Sequence, residues 1–378
     1  MQQISIWERE SFFSPRDIII AGSGLVGLWT AYYLKKREPR LNICIVDRGI
    51  IPTGASTRNA GFACFGSITE LMADLEKMGE EQMLELVEWR YKGLERIRKT
   101  FRDSEIGYEN YGGYELIRES QQIDFNHLRS TLDRFNRKLR PIVGKNKTFQ
   151  LSDGKIKQMG FAGVQHLVEN KLESQLHSGK LCSVLLQLLQ SMGVTVLNNI
   201  EITGFQKAKP GLILSTNIGT ELATRRLLVC TNAFAKQLLP DLDLEPARGQ
   251  ILLTAPLAKL RFKGTFHHDE GYYYFRNLGN RILLGGARNK ALKEETTESM
   301  TTTDFIQTEL ENFLKEIIIP GLKYQVDYRW SGIMAVGSEK MPIVKKISEQ
   351  VFCAVRMSGM GVALAPELGR RLAGDILS

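Results

Sequence analysis

The chain has few cysteines, and they form no recognisable pattern. Five occur in 378 residues, none of them in CxxC spacing, and most fall within apolar stretches. They are Cys44, Cys64, Cys182, Cys230 and Cys353. This distribution argues against a metal site and against a disulfide framework, and it predicts buried free thiols.

Long apolar runs are also missing. Residues 18–26 are apolar, but this stretch is far too short to cross a bilayer. Residues 1–15 lack a basic segment followed by an apolar core, so no secretory signal is expected. We therefore predict a cytoplasmic protein without a membrane span.

No block of one charge dominates the chain, although its formal net charge is +8 and its pI is about 9.1. The basic residues 35–37 fall at the end of a predicted helix, where cations interact favourably with the helix dipole. Arg225 and Arg226 directly precede a predicted strand. A basic balance without a basic cluster permits contact with acidic ligands, but it disfavours nucleic-acid binding.

The most informative stretch is a Gly-x-Gly-x-x-Gly motif at residues 22–27. It follows an apolar run at residues 17–21 and opens a predicted helix, and an acidic residue, Asp47, stands 20 positions after the last glycine. Strand, glycine turn, helix and downstream acid together form the fingerprint of a dinucleotide site. Gly22 permits the tight turn, Gly24 lets the backbone approach a diphosphate, and Gly27 lets the helix pack closely on the sheet.

Asp47 defines the kind of nucleotide. It ends a predicted second strand, residues 41–46, where its carboxylate can accept hydrogen bonds from both hydroxyls of a ribose. A carboxylate at this position disfavours a ribose that carries a 2′-phosphate. The free amides at the helix start attract the diphosphate.

The composition, with 43% hydrophobic residues and no repeat or obvious linker, suits two interleaved domains. The fold class is α/β (α+β overall): a Rossmann-type domain interleaved with an antiparallel-sheet substrate domain, with a substrate expected between the two layers. The nucleotide domain is predicted at residues 1–72, 155–235 and 336–378, and the substrate domain at residues 73–154 and 236–335.

The patterns behind this division are of two kinds. Continuous apolar strands are predicted at residues 17–21, 41–46, 193–197, 227–230 and 351–355, and helices at residues 181–192 and 365–377. Alternating or aromatic strands are predicted at residues 108–118, 251–256, 271–276 and 281–287. Residues 73–101 predict one long amphipathic helix, with its charged side chains solvated.

A loop dense in small residues and polar donors follows the second strand. Residues 54–62 read Gly-Ala-Ser-Thr-Arg-Asn-Ala-Gly-Phe. Such a loop can wrap a diphosphate and reach the edge of an isoalloxazine, with Ser56 and Thr57 donating hydrogen bonds and Arg58 adding charge. Its place after the acidic strand end marks it as a cofactor loop.

The sequence resembles the D-amino acid oxidase superfamily of FAD-dependent oxidoreductases, which contains glycine oxidase, sarcosine oxidase and gamma-glutamylputrescine oxidase. The resemblance covers nearly the whole chain and rests on residues 22–27, 54–61, 246–250, 284–286 and 358–361. The Gly-Ala-Ser-x-Arg-Asn form is most similar to the amine-oxidising branch. The resemblance implies FAD, a discontinuous nucleotide domain and a sheet-bearing substrate domain over the flavin.

A glycine turn near the end of the chain, residues 358–361, lies between a predicted strand and a predicted helix. Its amides and the helix start can stabilise an anion. In the family, this turn lies by the flavin N1 and C2 carbonyl, where negative charge grows during reduction. No second glycine motif follows a strand, so no separate nicotinamide domain is expected. The electrons would come from the substrate and pass to dioxygen or to another acceptor.

The segment 267–276, His-His-Asp-Glu-Gly-Tyr-Tyr-Tyr-Phe-Arg, is the candidate substrate strand. Strand alternation predicts that Tyr272 and Tyr274 face the flavin while Tyr273 packs on the other side. Similarity to the Tyr-x-x-Pro-Arg strand of glycine oxidase also places Tyr272 in the pocket, although Phe275 replaces the proline. His267 or Tyr272 is predicted to assist proton removal from an amine, because the ordinary pKa of histidine suits that task.

Two departures from the family bear on the substrate. Residues 330–334 resemble a Trp-Ala-Gly-x-Arg stretch whose arginine holds the substrate carboxylate, but Met334 replaces that arginine. Ala363 occupies the place of a lysine used by sarcosine oxidase. A buried carboxylate without a charged partner is costly, so an amine is favoured, or an amino acid held by an unfamiliar contact. No cysteine lies where sarcosine oxidase links its flavin, so FAD is expected to bind noncovalently.

The predicted function is FAD-dependent oxidation of a small amine or amino acid, by hydride transfer that gives an imine for hydrolysis. The alternatives are oxidation of a 2-hydroxy acid or polyol, a flavin module of a tRNA-modifying or RNA-binding protein, and an FAD-binding protein without turnover. The candidate catalytic residues are Tyr272, His267, Arg58 and Met334. The candidate FAD-binding residues are Gly22, Gly24, Leu25, Val26, Gly27, Asp47, Arg48, Ala55, Ser56, Thr57, Arg58, Asn59, Ala60, Ile202, Thr231, Gly332, Gly359, Met360, Gly361 and Val362.

Overall fold

The computed structural model describes residues 4–121 and 123–378, so residues 1–3 of the first predicted segment lie outside it. The strands are β1 Arg16–Ala21, β2 Ile43–Asp47, β3 Phe62–Ala63, β4 Gly113–Arg118, β5 Phe149–Leu151, β6 Val164–Asn170, β7 Ser174–Gln175, β8 Thr195–Asn198, β9 Ile202–Ala208, β10 Gly211–Thr216, β11 Leu222–Val229, β12 Glu245–Thr254, β13 Thr265–His268, β14 Tyr273–Leu278, β15 Arg281–Gly286, β16 Val326–Val336, β17 Ile343–Lys346 and β18 Val351–Val355.

The helices vary from single turns to 21 residues. They are α1 Ile6–Ser11, α2 Leu25–Arg37, α3 Ala55–Arg58, α4 Ile68–Met78, α5 Glu80–Thr100, α6 Asp103–Ile106, α7 Phe125–Val143, α8 Gly154–Met159, α9 Ser178–Ser191, α10 Asp304–Phe313 and α11 Gly361–Leu377. Among the described residues, no helix combines the length and apolarity that a bilayer crossing requires.

The chain divides into two compact units, and each is built from separate chain segments. The first contains Met1–Thr57, Ser178–Pro246 and Met334–Ser378, and the second contains Arg58–His177 and Ala247–Ile333. These boundaries differ from the predicted ones, chiefly because residues 58–72 and 155–177 belong to the second unit. There β3 pairs with β7, and β6 pairs with β4.

The sheet of the first unit has a parallel centre, in the order β18-β11-β1-β2-β8. Its central strands are almost wholly apolar and buried, as expected for parallel strands that are covered on both faces. Helix α2 packs against α11 and α9. The antiparallel strand β17 extends one edge, and β9 and β10 form a branch from β11.

The sheet of the second unit has the order β16-β12-β15-β14-β13-β4-β6-β5. It is not purely antiparallel as predicted, because β4 and β13 run parallel. These two strands are about 150 residues apart in the chain, and such a distant pair is not constrained to opposite directions as a hairpin is. One face of the sheet is an aromatic core that includes Phe266 and Phe275, stacked with ring centroids 4.7 Å apart, and α10 packs on this core.

The predicted helix over residues 73–101 is two helices. Gly79 separates α4 from α5 and has a φ of +80°, outside the helical region. The apolar face is placed as predicted, but the charges are not all solvated, since Asp74 is 3% exposed and Arg90 is 1% exposed. All five cysteines are buried and free, which confirms the prediction of buried thiols.

Candidate functional site

The glycine motif forms the turn between β1 and α2, at the carboxyl edge of the parallel sheet. Gly22 has a φ of +106°, and its backbone N–H donates to the Val46 carbonyl at 2.8 Å. A β-carbon on Gly27 would lie 2.2 Å from the Gly22 carbonyl oxygen. Helix α2 therefore starts against the turn at a distance that only glycine allows, as the sequence predicts. Leu25 and Val26 form its first turn and are buried.

Asp47 connects the end of β2 to this turn. Its Oδ2 accepts hydrogen bonds from the Ser23 backbone N–H at 2.7 Å and from the Ser23 hydroxyl at 2.6 Å. Its Oδ1 accepts one from the Gly49 N–H at 2.8 Å. The carboxylate is thus fixed beside the glycine turn, and its remaining lone pairs are available to a ribose.

The loop after β2 begins with the short helix α3. Ser56 Oγ accepts a hydrogen bond from the Leu25 N–H at 2.9 Å, so the loop caps one of the free amides at the start of α2. The Thr57 hydroxyl donates to the Pro52 carbonyl, a local bond that sequence reasoning did not foresee. Ala55 belongs to the same turn.

Three further predicted cofactor residues lie elsewhere in the first unit. The Arg48 guanidinium lies 3.8 Å from the centre of the Phe234 ring and forms a 3.5 Å ion pair with Glu201. Ile202 is buried at the start of β9. Thr231 directly follows Cys230, whose carbonyl oxygen would lie 2.8 Å from a β-carbon on Gly22.

These residues fit a dinucleotide. The hydroxyl of Thr231 is buried and, within residues 4–121 and 123–378, has no hydrogen-bond partner. An orphaned buried hydroxyl beside a glycine turn is what a bound polar ligand would satisfy. Those same ranges contain no group of three or more His, Cys, Asp or Glu side chains arranged to hold a metal ion.

The glycine turn near the end of the chain lies between β18 and α11. Gly359 has a φ of +85°, and the Ser358 N–H donates to the Ala335 carbonyl at 3.2 Å. The Met334 sulfur is 3.5 Å from where a β-carbon on Gly359 would stand. The structure therefore brings Met334 and this turn together. Met360, Gly361 and Val362 form the start of α11.

In the second unit, Arg58 is hydrogen-bonded to the middle of β16. Its Nη1 donates to the Ser331 carbonyl at 2.9 Å, and the Trp330 indole N–H donates to the Arg58 carbonyl at 3.0 Å. Gly332 follows Ser331 in the same strand. Asn59 Oδ1 accepts the Gly61 N–H at 2.8 Å, which shapes the end of the loop. The predicted residues 58–60 and 332 thus belong to one part of this unit.

The sheet face opposite the aromatic core carries a small apolar cluster, here called the Tyr274 face. It consists of Ala60, Phe62, Ile251, Leu253, Tyr274, Leu278, Leu283 and Trp330. The ring of His267 meets Phe62 edge-on, with centroids 5.1 Å apart. The Tyr274 ring lies over Gly285, where a β-carbon would be 2.5 Å from a ring carbon. Burial raises the pKa of Tyr274 to about 12, against a smaller lowering by Arg288.

The predicted pairing of Tyr272 with Tyr274 is wrong. Strand β14 begins at Tyr273, and Tyr272 ends a turn in which Asp269, Glu270 and Gly271 have positive φ. The two-residue alternation therefore does not extend to Tyr272, which packs against the aromatic core together with Tyr273. His267 lies opposite Tyr274 in the β13–β14 pair and packs against the Tyr274 face through Phe62, which both rings contact.

The expectation that His267 has an ordinary pKa is also wrong. The residue is 6% exposed, and burial lowers its pKa to about 4. Its Nε2 lies 4.0 Å from Oε2 of Glu173, a buried carboxyl group that sequence reasoning missed. Arg276 was also missed: its Nη1 donates to the Leu176 carbonyl at 3.0 Å and to the Gly61 carbonyl at 3.4 Å.

Comparison with known proteins gives a consistent result over the whole chain. A sequence model of the FAD dependent oxidoreductase family, DAO, matches residues 17–374. The gamma-glutamylputrescine oxidoreductase of Escherichia coli (strain K12) is 21% identical over 375 residues, which cover 94% of this chain and 82% of that protein.

Solved structures share the fold. The iminodiacetate oxidase of Chelativorans sp. BNC1 superposes with a TM-score of 0.76 at 19% identity, covering 95% of each chain. The glycine oxidase of Geobacillus kaustophilus superposes with a TM-score of 0.75 at 20% identity, covering 96% of this chain and 94% of that one. Together with the match across residues 17–374, the glycine turn and the fixed Asp47 show that the chain belongs to the FAD dependent oxidoreductase family and is an FAD-binding oxidoreductase.

Proposed function

We propose that the protein oxidises a small amine or amino acid at the carbon bearing the nitrogen, giving an imine that water hydrolyses. The observation that carries this proposal is the Tyr274 face, where the uncharged phenol of Tyr274 lies among apolar side chains and the uncharged imidazole of His267 packs on Phe62. Such a surface favours a neutral amine over an ammonium ion, because burying an unpaired charge is costly. The names of the similar proteins, which include oxidases of glycine and of iminodiacetate, support a nitrogen compound as substrate.

FAD, expected to bind noncovalently, would supply the hydride acceptor for such a reaction, with dioxygen or another compound as the final electron acceptor. The residues of the first unit that would hold it are those of the turn at Gly22, the Asp47 carboxylate and the orphaned hydroxyl of Thr231. The amides at Gly359 and at the start of α11 would stabilise negative charge on a flavin ring bound beside them.

The nitrogen must be neutral before hydride can leave, because only its free lone pair can form the imine. His267 is the candidate acceptor of the ammonium proton. With a pKa of about 4, the imidazole does not hold that proton by itself at neutral pH. A second proton acceptor is therefore needed at the other nitrogen of the imidazole ring.

Met334 stands where related enzymes have the arginine that binds the substrate carboxylate. A substrate carboxylate would therefore need a different cationic side chain in this protein. Arg288 is the candidate. It is half-buried, and its guanidinium makes no hydrogen bond or ion pair with any residue that the structure describes. Its positive charge acts against the burial that raises the pKa of Tyr274. Arg288 thus supports an amino acid held by a new contact.

Anaerobic titration of the purified yellow protein, followed at the flavin absorbance, tests this function. The panel contains primary amines, N-methyl amino acids, α-amino acids and 2-hydroxy acids. We expect bleaching by at least one nitrogen compound and not by its hydroxy analogue. Bleaching by hydroxy acids alone would overturn the proposal in favour of alcohol oxidation. Flavin that nothing bleaches, together with RNA binding that weakens steeply with salt, would favour the RNA-binding alternative.

A further inference from the structure

A group of buried charged side chains lies around His267 in the second unit. Glu70 on α4 is 7% exposed, Glu115 on β4 and Glu173 are each 2% exposed, and Arg90 on α5 is 1% exposed. No sequence motif marks these residues, which come from separate parts of the chain. Three carboxyl groups and one guanidinium make a cluster whose charges do not balance if all are ionised.

Each carboxyl group has its own partners. Glu70 Oε1 accepts from Arg90 Nη1 at 3.2 Å. Glu115 accepts from the Thr69 N–H at 3.0 Å and from the Thr69 hydroxyl. Arg90 therefore compensates Glu70, while Glu115 has neutral donors. Burial raises the pKa of Glu115 to about 7 and, helped by the charges of Glu70 and Glu115, raises that of Glu173 to about 8.

The two oxygens of Glu173 have different surroundings. Oε1 accepts from the backbone N–H groups of Phe65, at 3.0 Å, and Gly66, at 3.3 Å. Oε2 lies against Gly113, where a β-carbon would be 2.2 Å away, and 4.0 Å from Nε2 of His267. Oε1 is occupied as an acceptor, so a proton on this carboxyl group belongs on Oε2.

The ring of His267 has a nitrogen without a hydrogen-bond partner among the described residues, and this nitrogen is the one that lies nearest to Oε2 of Glu173. Its Nε2 is buried and, within the described parts of the chain, has no hydrogen-bond partner. The 4.0 Å separation from Oε2 is about 1 Å longer than an N–H···O hydrogen bond. We propose that Glu173 is a positioning residue for His267, closing this gap and setting which ring nitrogen carries the proton. This inference rests on the proposed function, in which His267 accepts the proton of the substrate amine.

The two protonation states of Glu173 impose opposite tautomers. When Glu173 is ionised, the Nε2–H of His267 donates to Oε2, and the lone pair of Nδ1 can accept a proton. When Glu173 is protonated, its O–H donates to Nε2, the ring proton lies on Nδ1, and the ring cannot accept another at Nδ1. Ionised Glu173 therefore gives the active form.

The proton balance explains how a histidine of low basicity can serve. The ammonium proton of the substrate bonds to Nδ1, and the Nε2 proton moves to Oε2 of Glu173. The ring stays neutral, the substrate becomes a neutral amine, and the buried carboxylate becomes a neutral carboxylic acid. One positive and one negative charge disappear together, which a poorly solvated interior favours.

The titration of Glu173 depends on every charged or titratable group that faces it. Glu70 and Glu115 raise its pKa by repulsion, and His267 faces Oε2. The neighbouring groups also include the Cys64 thiol and the Tyr108 phenol, both of whose pKa values are raised by burial and, to a smaller extent, by Glu173. Arg90 donates to the Phe65 carbonyl and supplies the positive charge of the cluster.

Nitrogen-15 NMR of the histidine rings tests the inference without substrate. The chain has five histidines, and the spectrum of a His267→Gln variant identifies the His267 signals. In the wild-type holoenzyme we expect His267 to change from the Nδ1–H to the Nε2–H tautomer as the pH rises through about 8, the pKa of Glu173. In Glu173→Gln, the amide N–H₂ donates permanently to Nε2, so the Nδ1–H tautomer should persist from about pH 6 to about pH 10, above the pKa of about 4 of the ring.

Glu115→Gln is the matched control, because Glu115 is equally buried and stands opposite His267 in the β4–β13 pair, but its carboxyl group accepts hydrogen bonds from Thr69. It should keep the tautomer change, at a lower pH, because one source of repulsion is removed. A wild-type ring that keeps one tautomer from pH 6 to pH 10, or a Glu173→Gln ring that switches as the wild type does, would overturn the inference.

A kinetic measurement connects the tautomer to turnover. For an amine that reduces the flavin, kcat/KM should rise through about pH 8 in the wild type. Glu173→Gln should remove this rise and lower the value at pH 9 by about 100-fold, within the usual contribution of general base catalysis. An unchanged pH profile in a folded Glu173→Gln variant would refute the link to turnover. If no amine reduces the flavin, the proposed function fails, while the NMR result still decides the role of Glu173.

Discussion

The backbone N–H and the hydroxyl of Ser23 both donate to Oδ2 of Asp47, at 2.7 and 2.6 Å. Asp47, the acidic residue of the fingerprint, therefore has a structural role in addition to its predicted contact with a ribose. It holds the second residue of the glycine turn, so the two parts of the motif are joined without the cofactor. Such preorganisation lowers the conformational cost of binding.

We predict that Asp47→Asn weakens FAD binding by about 10-fold to 100-fold, the usual range for loss of a hydrogen bond to a charged group. The amide nitrogen cannot accept from Ser23, and the ribose loses its carboxylate partner. Fluorescence titration of the apoprotein with FAD measures the change. Asp17→Asn is the control, because Asp17 lies near the other end of β1 and accepts the Asn42 N–H at 2.9 Å. An equal loss in both variants would contradict the assigned role of Asp47.

Gly27→Ala should destabilise the first unit by about 3 kcal/mol and reduce its flavin content, because overpacking costs of this size arise where the neighbouring atoms cannot move. The added carbon would lie 2.2 Å from the Gly22 carbonyl oxygen, which belongs to the backbone. Gly204→Ala provides the comparison, since nothing lies within 4 Å of its added carbon. Thermal unfolding and flavin absorbance give the two readouts, and a Gly27→Ala protein as stable as Gly204→Ala would refute the packing argument.

The two neighbouring tyrosines should behave differently. Tyr274→Phe removes a hydroxyl from the Tyr274 face while keeping the ring over Gly285, and we expect about a tenfold loss of kcat/KM, equivalent to one hydrogen bond. Tyr272→Phe should change kcat/KM less than twofold, because Tyr272 packs against the aromatic core. Steady-state kinetics with the best amine of the panel decides. A larger loss of kcat/KM in Tyr272→Phe than in Tyr274→Phe would instead support the sequence-based prediction that Tyr272 lies in the substrate pocket.

The local sequence pattern was sufficient to predict the main strands and the glycine turn of the nucleotide domain. The apolar strands β1, β2 and β18 and the turn at residues 22–27 were all predicted within a few residues, because their signals lie in adjacent positions of the chain. The same reasoning failed at Tyr272, where a turn with positive φ shifted the start of β14. Alternation is informative only when the first residue of the strand is known.

The buried charges could not be predicted for a different reason. Arg90 lies on a helix whose other charged residues are mostly solvated, and its partner Glu70 is on another helix. Glu173 meets His267 after a separation of 94 residues in the chain. Contacts of this kind depend on tertiary packing, and the spacing of residues within one helix or strand does not predict them.

Arg288→Gln tests the carboxylate contact. If the substrate is an amino acid, its KM should rise about 10-fold to 100-fold, because an interaction of a carboxylate with a charged donor is lost. The KM of the corresponding amine without the carboxylate should be unchanged. Lys290→Gln, an exposed cation two residues away, is the control for net charge. Equal effects on both substrates would show that Arg288 does not recognise a carboxylate.

Glu173 should also appear in the dependence of stability on pH. Its pKa is about 8 in the folded protein against an ordinary 4.5, so the folded state binds more protons than the unfolded state between these values. The free energy of unfolding must therefore fall as the pH rises from about 4.5 to about 8 and then level off. His267 acts oppositely and only below its ordinary pKa of 6.5, because burial lowers its folded pKa to about 4.

Glu173→Gln removes the ionisable group, so this variant should lose less stability than the wild type when the pH rises from 5 to 9. Glu169→Gln is a control of opposite sign. Although burial alone would raise the pKa of Glu169, hydrogen bonds from Lys155, Ser152 and Gln150 lower it to about 2, so its stabilisation is lost as the pH falls. Urea unfolding at several pH values measures both slopes. A Glu173→Gln slope as steep as that of the wild type between pH 6.5 and pH 8 would mean that Glu173 ionises freely in the folded protein, and the buried proton assigned to it would not exist.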